Sequence, residues 1–220
     1  MTPDDHKRVS DAVHAAEAGT AGEIVTIVAD RSDGYLDVAL IYAILAMLFV
    51  PILFAAFPSF ADAILDVTSR GWGDHPEPAR YLLVFALMTA VFLLVRLALT
   101  HEPLRLRIAP KGTRRRRVHA RAIELFRVGT ERRTTGRTGI LIYLSMGEHM
   151  AEIVADQAIH SKVSEEAWGE AMAALIAEVR EGRVTDGMIA AIGKVGAILG
   201  SHLPRETDDA NELPNRLIEL

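Results

Sequence analysis

VALIYAILAMLFVPILFAAF, residues 38–57, is a run of twenty residues without a charged side chain. About twenty consecutive apolar residues are enough for a helix to cross the hydrocarbon core of a bilayer, which is about 30 Å thick. Pro51 lies inside the run, but membrane helices tolerate an internal proline because neighbouring helices or water satisfy the freed backbone groups. The stretch therefore predicts a transmembrane helix.

A second apolar run covers residues 81–100 and is interrupted only by Arg96 near its end. An arginine at that depth reaches the head groups through its long side chain. The two runs predict a two-helix transmembrane hairpin over residues 36–100, with a connecting loop at 58–80. The alternative, a pair of buried core helices in a soluble protein, is disfavoured because such helices seldom run this long without a polar face.

The composition agrees with a membrane protein that also has soluble parts. The chain has 220 residues and a mean hydropathy of +0.20, although 24% of its residues are charged. This combination excludes a disordered or fibrous chain. The absence of cysteine excludes a disulfide framework, a thiol nucleophile and a Cys-ligated metal site. Aromatic residues make up 6% of the chain, too few for a module that stacks nucleic-acid bases on aromatic rings.

Basic residues concentrate after the second apolar run, since residues 101–147 contain 12 basic and 3 acidic side chains. Eight basic residues lie near the outer ends of the hairpin, whereas two, Arg70 and Arg80, lie in its loop. The positive-inside rule then places both termini in the cytoplasm and the loop outside. We expect a contact with anionic lipid head groups at the membrane surface from four consecutive arginines, Arg114, Arg115, Arg116 and Arg117. Nucleic acid is not an expected partner.

The polar segments on both sides of the hairpin predict one α/β domain. The first helix and strand are too small to bury their apolar faces alone, and the later segment lacks a partner strand for a full sheet. We therefore expect a discontinuous cytoplasmic domain of residues 1–35 and 101–205, followed by a polar tail at 206–220. The predicted elements are helices at 3–18, 114–133, 164–180 and 185–203, and strands at 23–29, 140–145 and 151–155.

Four segments of the soluble parts, taken in order, resemble the TPM domain family. They are residues 20–24 (TAGEI), 137–145 (RTGILIYLS), 152–156 (EIVAD) and 180–204. The chain departs from the family pattern at Ala21, where Ser is usual, and at Ala158, where a Gly often follows the Asp. The family includes thylakoid lumen proteins linked to photosystem II repair and many bacterial membrane proteins. The chain is most similar to the bacterial branch, in which a two-helix membrane hairpin interrupts the domain after the first strand.

This resemblance implies a TPM-like α/β sandwich with a small central sheet flanked by helices and interrupted by the hairpin. It also implies a multi-pass protein of the bacterial inner (plasma) membrane. Acid phosphatase activity and divalent-cation binding are implied because some lumenal members are described that way. Most bacterial members have no assigned reaction, so the fold carries over better than the function does.

Carboxylates at the ends of predicted strands suggest a calcium or magnesium site. Glu23 begins the first strand, Asp30 follows it, and Asp156 follows the third strand. Sheets in α/β proteins gather ligands at strand ends, and hard cations prefer oxygen ligands. We predict Glu23 and Asp156 as metal ligands and Arg137 as a phosphate-binding residue. The alternative is that Glu23 caps its strand or forms a partly buried ion pair with Arg137.

A further polar cluster suggests a zinc or iron site only if its segment is helical; its members are Glu148, His149, Glu152, Asp156 and His160. The strand predicted at 151–155 removes that helical face, and no HExxH pattern is present. Ser145 lacks the G-x-S-x-G context of a nucleophile and is expected to be a serine in the turn that ends a strand. No phosphate-binding glycine motif supports nucleotide chemistry.

These observations favour a non-enzymatic interaction or membrane-protein maintenance module held at the cytoplasmic face of the membrane. The alternative is a divalent-cation-dependent phosphatase in which Glu23 and Asp156 hold calcium or magnesium and Arg137 steadies the substrate phosphate. Nucleic-acid binding through the four consecutive arginines is a remote third hypothesis.

Overall fold

The computed structural model of the protein divides into two compact units. The α/β unit comprises Met1–Asp33 and Lys111–Leu220, and the helical unit comprises Gly34–Pro110. The structure describes residues 1–69, 77–129, 138–204 and 215–220.

The described residues form nine helices and four strands. In chain order they are α1 (Pro3–Glu17), β1 (Glu23–Ala29), α2 (Leu36–Ala56), α3 (Ser59–Ser69), α4 (Glu77–Ala98), α5 (Glu102–Ile108), α6 (Lys111–Gly129), β2 (Gly139–Ser145), β3 (Met150–Ala155), α7 (Gln157–His160), α8 (Glu165–Arg180), α9 (Val184–His202) and β4 (Leu217–Glu219).

One mixed sheet forms the centre of the α/β unit, with strand order β3-β2-β1-β4. Strands β1 and β2 are parallel, with Glu23 opposite Gly139 and Ala29 opposite Ser145. Both consist mainly of β-branched and other apolar residues, and every residue in them is buried. Strand β3, which matches the strand predicted at 151–155, returns antiparallel to β2.

Helices cover both faces of this sheet, as expected for an α/β sandwich. On one face α1, α8 and α9 pack on Ile24, Ile140 and Ile142. On the other face α6 contributes Val118, Ala122 and Phe126, which repeat every four residues and pack on Val25 and Leu141. Alternate side chains of a strand point to opposite faces, so β1 and β2 supply both cores. The α/β fold class predicted from the sequence is confirmed.

The end of the chain differs from the predicted polar tail at residues 206–220. Strand β4 pairs in parallel with β1, with Leu217 opposite Thr26 and Glu219 opposite Val28. Leu217 is buried in the core beneath α1 and α9, and Ile218 packs on the core beneath α6. Neighbouring side chains of a strand point to opposite faces, so Leu217 and Ile218 pack on opposite sides of the sheet. A strand of three residues is too short to show a periodic pattern in the sequence.

The boundary between the units also differs from the prediction. Residues 101–110 were expected in the α/β domain, but they belong to the helical unit. Ala109 is buried with Tyr35 and Val38, and Leu106 packs against them. This small apolar cluster links the two ends of the helical unit, and such pairing between distant segments cannot be derived from local sequence.

The helical unit is built around α2 and α4, which pack against each other. Helix α3 occupies part of the predicted outside loop at 58–80 and contacts both of them. The rings of Phe54 and Phe60 lie 5.7 Å apart, and Arg80 on α4 donates to Asp62 on α3 at 2.9 Å. The predicted loop therefore contains a helix tied to both apolar helices.

Three helices among the described residues are long and apolar enough to cross a membrane: Leu36–Ala56, Pro78–Ala98 and Val184–His202. The first two coincide with the predicted spans. The third is α9, whose Met188, Ile192 and Val195 are fully buried in the core of the α/β unit. The apolar side chains of α9 therefore pack against the sheet, α1 and α8.

Candidate functional site

A buried carboxylate, Glu148, organises the carboxyl ends of β1 and β2. The Ser32 backbone N–H donates to its two oxygens at 3.0 and 3.2 Å, and the Ser145 hydroxyl also donates to it. The Ser32 hydroxyl in turn lies 2.9 Å from the hydroxyl of Tyr143. Burial raises the pKa of Tyr143, so its hydroxyl stays neutral in this network.

Backbone hydrogen bonds join the turn after β2 to the end of β1. The Met146 N–H donates to Ala29 O at 2.9 Å, and the Gly147 N–H donates to Asp30 O at 2.8 Å. His149, at φ 52°, takes the left-handed conformation that lets the chain reverse into β3. These contacts fix the segment that leaves β1 for the helical unit. Ser145 is fully buried and is the last residue of β2, so it ends the strand as expected but lies in the strand and not in the turn after it.

A second buried carboxylate, Glu17, lies at the opposite end of β1. Its oxygens accept from the Ile24 backbone N–H at 2.7 Å and from the Asn215 side chain at 2.5 Å. The pKa of Glu17 is raised to about 7, mainly by burial and also by the nearby charge of Glu23, and the two hydrogen bonds offset part of this rise. This group therefore changes charge close to neutral pH.

Sequence reasoning did not single out Glu17 or the contacts of Glu148. A signal existed for Glu17, because it continues the buried stripe of Val9 and Val13 at intervals of four residues. A carboxylate on the apolar face of a helix predicts a buried, hydrogen-bonded group. The partner Ser32 lies far from Glu148 in the sequence, so no local pattern connects the two.

The predicted metal ligands Glu23 and Asp156 lie at the same end of the sheet. Glu23 stands opposite Gly139 on one side, and Asp156 accepts from the Gly139 N–H at 3.0 Å on the other. Their backbones are thus about 10 Å apart, two strand spacings. Asp30 lies at the other end of β1, so the three strand-end carboxylates do not converge. Arg137, the predicted phosphate or ion-pair residue, lies outside the described residues.

No group of three or more His, Asp or Glu side chains within the described ranges is placed to hold a metal ion. The polar cluster between 148 and 160 is dispersed by the fold. Glu148 joins the buried network, Glu152 on β3 lies 3.3 Å from His119 on α6, and His160 is exposed on the short α7. The strand predicted through this segment separates the residues that a helix would have aligned.

The four consecutive arginines of α6 have different surroundings. Arg117 forms an ion pair with Asp33 at 2.7 Å. Arg114 is half-buried, and its Nε atom is buried with no hydrogen-bond partner in the part of the chain that the structure describes. Arg115 and Arg116 are exposed. Of the four arginines predicted to contact the membrane surface, Arg115 and Arg116 are thus the exposed ones.

A cavity of about 370 Å³ opens in the α/β unit beyond the carboxyl ends of β1 and β4. Open α/β sheets bind ligands in such crevices. Its wall is both apolar and acidic, and the lining residues are Met1, Val28, Asp30, Met146, Val184, Glu219 and Leu220. The carboxylate of Glu219, one of these lining residues, is 2.8 Å from the ring of His6.

A solved structure shares this fold. The chain aligns with the NMR structure of BA42 protein from the psychrophilic bacterium Bizionia argentinensis with a TM-score of 0.57 and 18% sequence identity, covering 100% of this chain and 95% of that chain. At this identity the likeness shows the fold alone. No protein-family model and no curated protein sequence matches the chain.

Proposed function

We propose that this chain is a multi-pass protein of the bacterial inner membrane that holds a TPM-like domain at the cytoplasmic face. There the α/β unit serves as a non-enzymatic interaction or maintenance module for other membrane proteins. The observation that carries the proposal is the apolar outer surface of α2 and α4. Side chains such as Phe49 on α2 and Leu97 on α4 are 60% and 69% exposed.

A surface of this kind is costly in water but not in lipid. Soluble proteins rarely expose a contiguous apolar patch of more than a few hundred Å². The 18-residue apolar windows of α2 and α4 are 17% and 0% buried within the protein. Lipid chains supply the missing apolar surroundings, and the distribution of Lys and Arg favours cytoplasmic termini.

The sheet edge at β4 supports the interaction role. Strand β4 lies at one edge of the sheet, so one side of its backbone has no strand neighbour in the described ranges. An extended segment of another protein binds such an edge through main-chain hydrogen bonds. We propose this edge as the docking surface for segments of other membrane proteins.

Extraction of membranes with alkaline carbonate tests the membrane part of the proposal. The full-length chain is expected to stay in the membrane pellet because two apolar helices cross the bilayer. Release into the supernatant would contradict membrane insertion. Leu45→Asp with Phe49→Asp, which places two charges on the exposed face of α2, is expected to release part of the protein.

Photo-crosslinking in cells tests the interaction part. A photoreactive residue at the exposed Arg216, next to β4, is expected to capture membrane proteins reproducibly. The control is the same residue at the exposed Ala177 on α8, away from the sheet edge. Equal products at both positions, or none at Arg216, would contradict docking at this edge.

The second candidate is a divalent-cation-dependent phosphatase using calcium or magnesium. Its support is the placement of Glu23 and Asp156 on either side of Gly139. Turnover of a phosphate ester by the full-length protein is then expected to require calcium or magnesium and to fall with Asp156→Asn. Turnover that persists in chelator and in this variant would contradict the mechanism.

A further inference from the structure

We propose that Arg115 and Arg116 bind the phosphate groups of anionic phospholipids, whereas Arg117 holds α6 in the α/β unit and Arg114 is partly buried there. The inference rests on the proposed membrane location and assigns different roles to arginines that are identical in the sequence. The distinction comes from their surroundings in the fold.

Two of the four side chains are partly buried in the α/β unit. The Arg117 guanidinium donates to Asp33 at 2.7 Å and is 23% exposed. The segment before Asp33 is fixed by the Ser32 hydrogen bonds to Glu148. Arg117 therefore ties the start of α6 to the segment that leaves β1. Arg114 is half-buried and its Nε atom is buried, so its side chain is less accessible than those of Arg115 and Arg116.

Arg115 and Arg116 have the properties of a phosphate-binding pair. Both are exposed, and neither forms a hydrogen bond or ion pair with any residue that the structure describes. A guanidinium group binds phosphate oxygens with paired hydrogen bonds, so each of the two exposed arginines can bind a phosphate group.

The position of the pair in the chain favours lipid over other phosphates. Arg115 and Arg116 follow Ala98, the last residue of α4, within about 20 residues, the distance over which basic residues act at the membrane surface. Nucleic acid is a poorer match because the segments on both sides of residues 101–147 are acidic and aromatic residues are few.

Native mass spectrometry of the full-length protein in detergent tests the proposal. The wild-type protein is expected to retain phosphatidylglycerol and to bind it more tightly than phosphatidylcholine. Arg115→Gln with Arg116→Gln is expected to weaken phosphatidylglycerol binding about 30-fold, since each basic residue at an anionic surface contributes roughly fivefold. Lys162→Gln with Arg180→Gln removes the same charge from exposed sites elsewhere and is expected to leave binding unchanged.

Each other result has a defined meaning. Equal binding by wild type and the Arg115/Arg116 variant, with unchanged thermal unfolding, would overturn the inference. Displacement of the lipid by an equal concentration of glycerol phosphate or RNA would overturn the lipid assignment. If the variant loses lipid but stays in the carbonate-washed pellet, both proposals stand. Release of the wild-type protein by carbonate would instead defeat the membrane proposal itself.

Discussion

At the scale of single residues, the α/β unit contains buried polar groups whose partners decide their energetic effect. Glu17 and Glu148 are both buried, and each accepts hydrogen bonds from the backbone of another segment. Thr26, in the middle of β1, is fully buried, and its hydroxyl has no partner among the described residues. For each of these groups, the surroundings of one side chain decide whether a substitution raises or lowers the free energy of unfolding.

Glu17 is expected to make the stability of the α/β unit depend on pH. Its pKa is about 7 in the folded protein against an ordinary value of 4.5. The folded state therefore binds this proton more tightly than the unfolded state. The contribution of Glu17 to the free energy of unfolding is largest below about pH 4.5 and decreases as pH rises through about 7, by at most about 1.4 kcal/mol per pH unit.

Urea unfolding followed by the fluorescence of Trp168 on α8, in a Trp72→Phe background, measures this dependence. Glu17→Gln mimics the neutral carboxyl, so it is expected to flatten the profile between pH 4.5 and 7 and to be more stable than wild type at pH 8. Glu181→Gln, at an exposed position, is the control and should keep the wild-type slope. An unchanged slope in Glu17→Gln would show that another group titrates.

Thr26→Val and Thr20→Val form a matched pair with opposite expected effects. Valine at position 26 removes a buried hydroxyl without a described partner, so the free energy of unfolding should rise by about 1 kcal/mol. Thr20 donates to Leu203 O at 2.6 Å and accepts from the Gly22 N–H at 3.1 Å. Valine at position 20 should lower the free energy of unfolding by about 1 to 2 kcal/mol. Destabilisation by Thr26→Val would mean that its hydroxyl is hydrogen-bonded.

At the scale of elements, close packing of α9 against α1 determines the helical layer over one face of the sheet. A Cβ atom added at Gly196 would lie 2.7 Å from the Cβ of Ala16 on α1. At Gly193, on the same helix, a Cβ would meet no atom within 4 Å. The two glycines therefore have different roles, although their sequence context is similar.

Gly196→Ala is expected to lower the free energy of unfolding by about 1 to 3 kcal/mol, because α1 and α9 must move apart. Gly193→Ala is expected to raise it by about 0.5 to 1 kcal/mol, because alanine favours the helix and fits without a clash. The same urea measurement compares the two variants. Equal effects would show that α1 and α9 are not in close contact at Gly196.

Helices and strands with a long sequence pattern could be predicted, whereas a very short strand could not. The buried runs of β1 and β2 and the capped helix α8 follow from local composition and from Ser164, whose side chain accepts from the Ala167 N–H. Strand β4 was missed because three residues carry no periodicity. The site was predictable only in part, since Glu23 and Asp156 share one end of the sheet while the Glu148 network joins distant segments.

At the scale of the whole molecule, one chain combines two units with different surfaces. The α/β unit buries its apolar residues around a sheet, whereas the helical unit exposes many apolar side chains. The chain enters the helical unit after Asp33 and returns at Lys111. This arrangement accounts for a positive mean hydropathy in a chain rich in charged residues.

The central claim, a membrane hairpin with both termini in the cytoplasm, can be tested with single cysteines because the chain has none. The exposed residues Ala15, Ser59 and Ala197 are suitable positions for cysteine substitution. The variants are treated with a membrane-impermeant maleimide before and after the cells are opened. The account predicts that Ser59→Cys reacts in intact cells, whereas Ala15→Cys and Ala197→Cys react only after lysis. Reaction of Ala15→Cys or Ala197→Cys in intact cells, with Ser59→Cys protected, would contradict it.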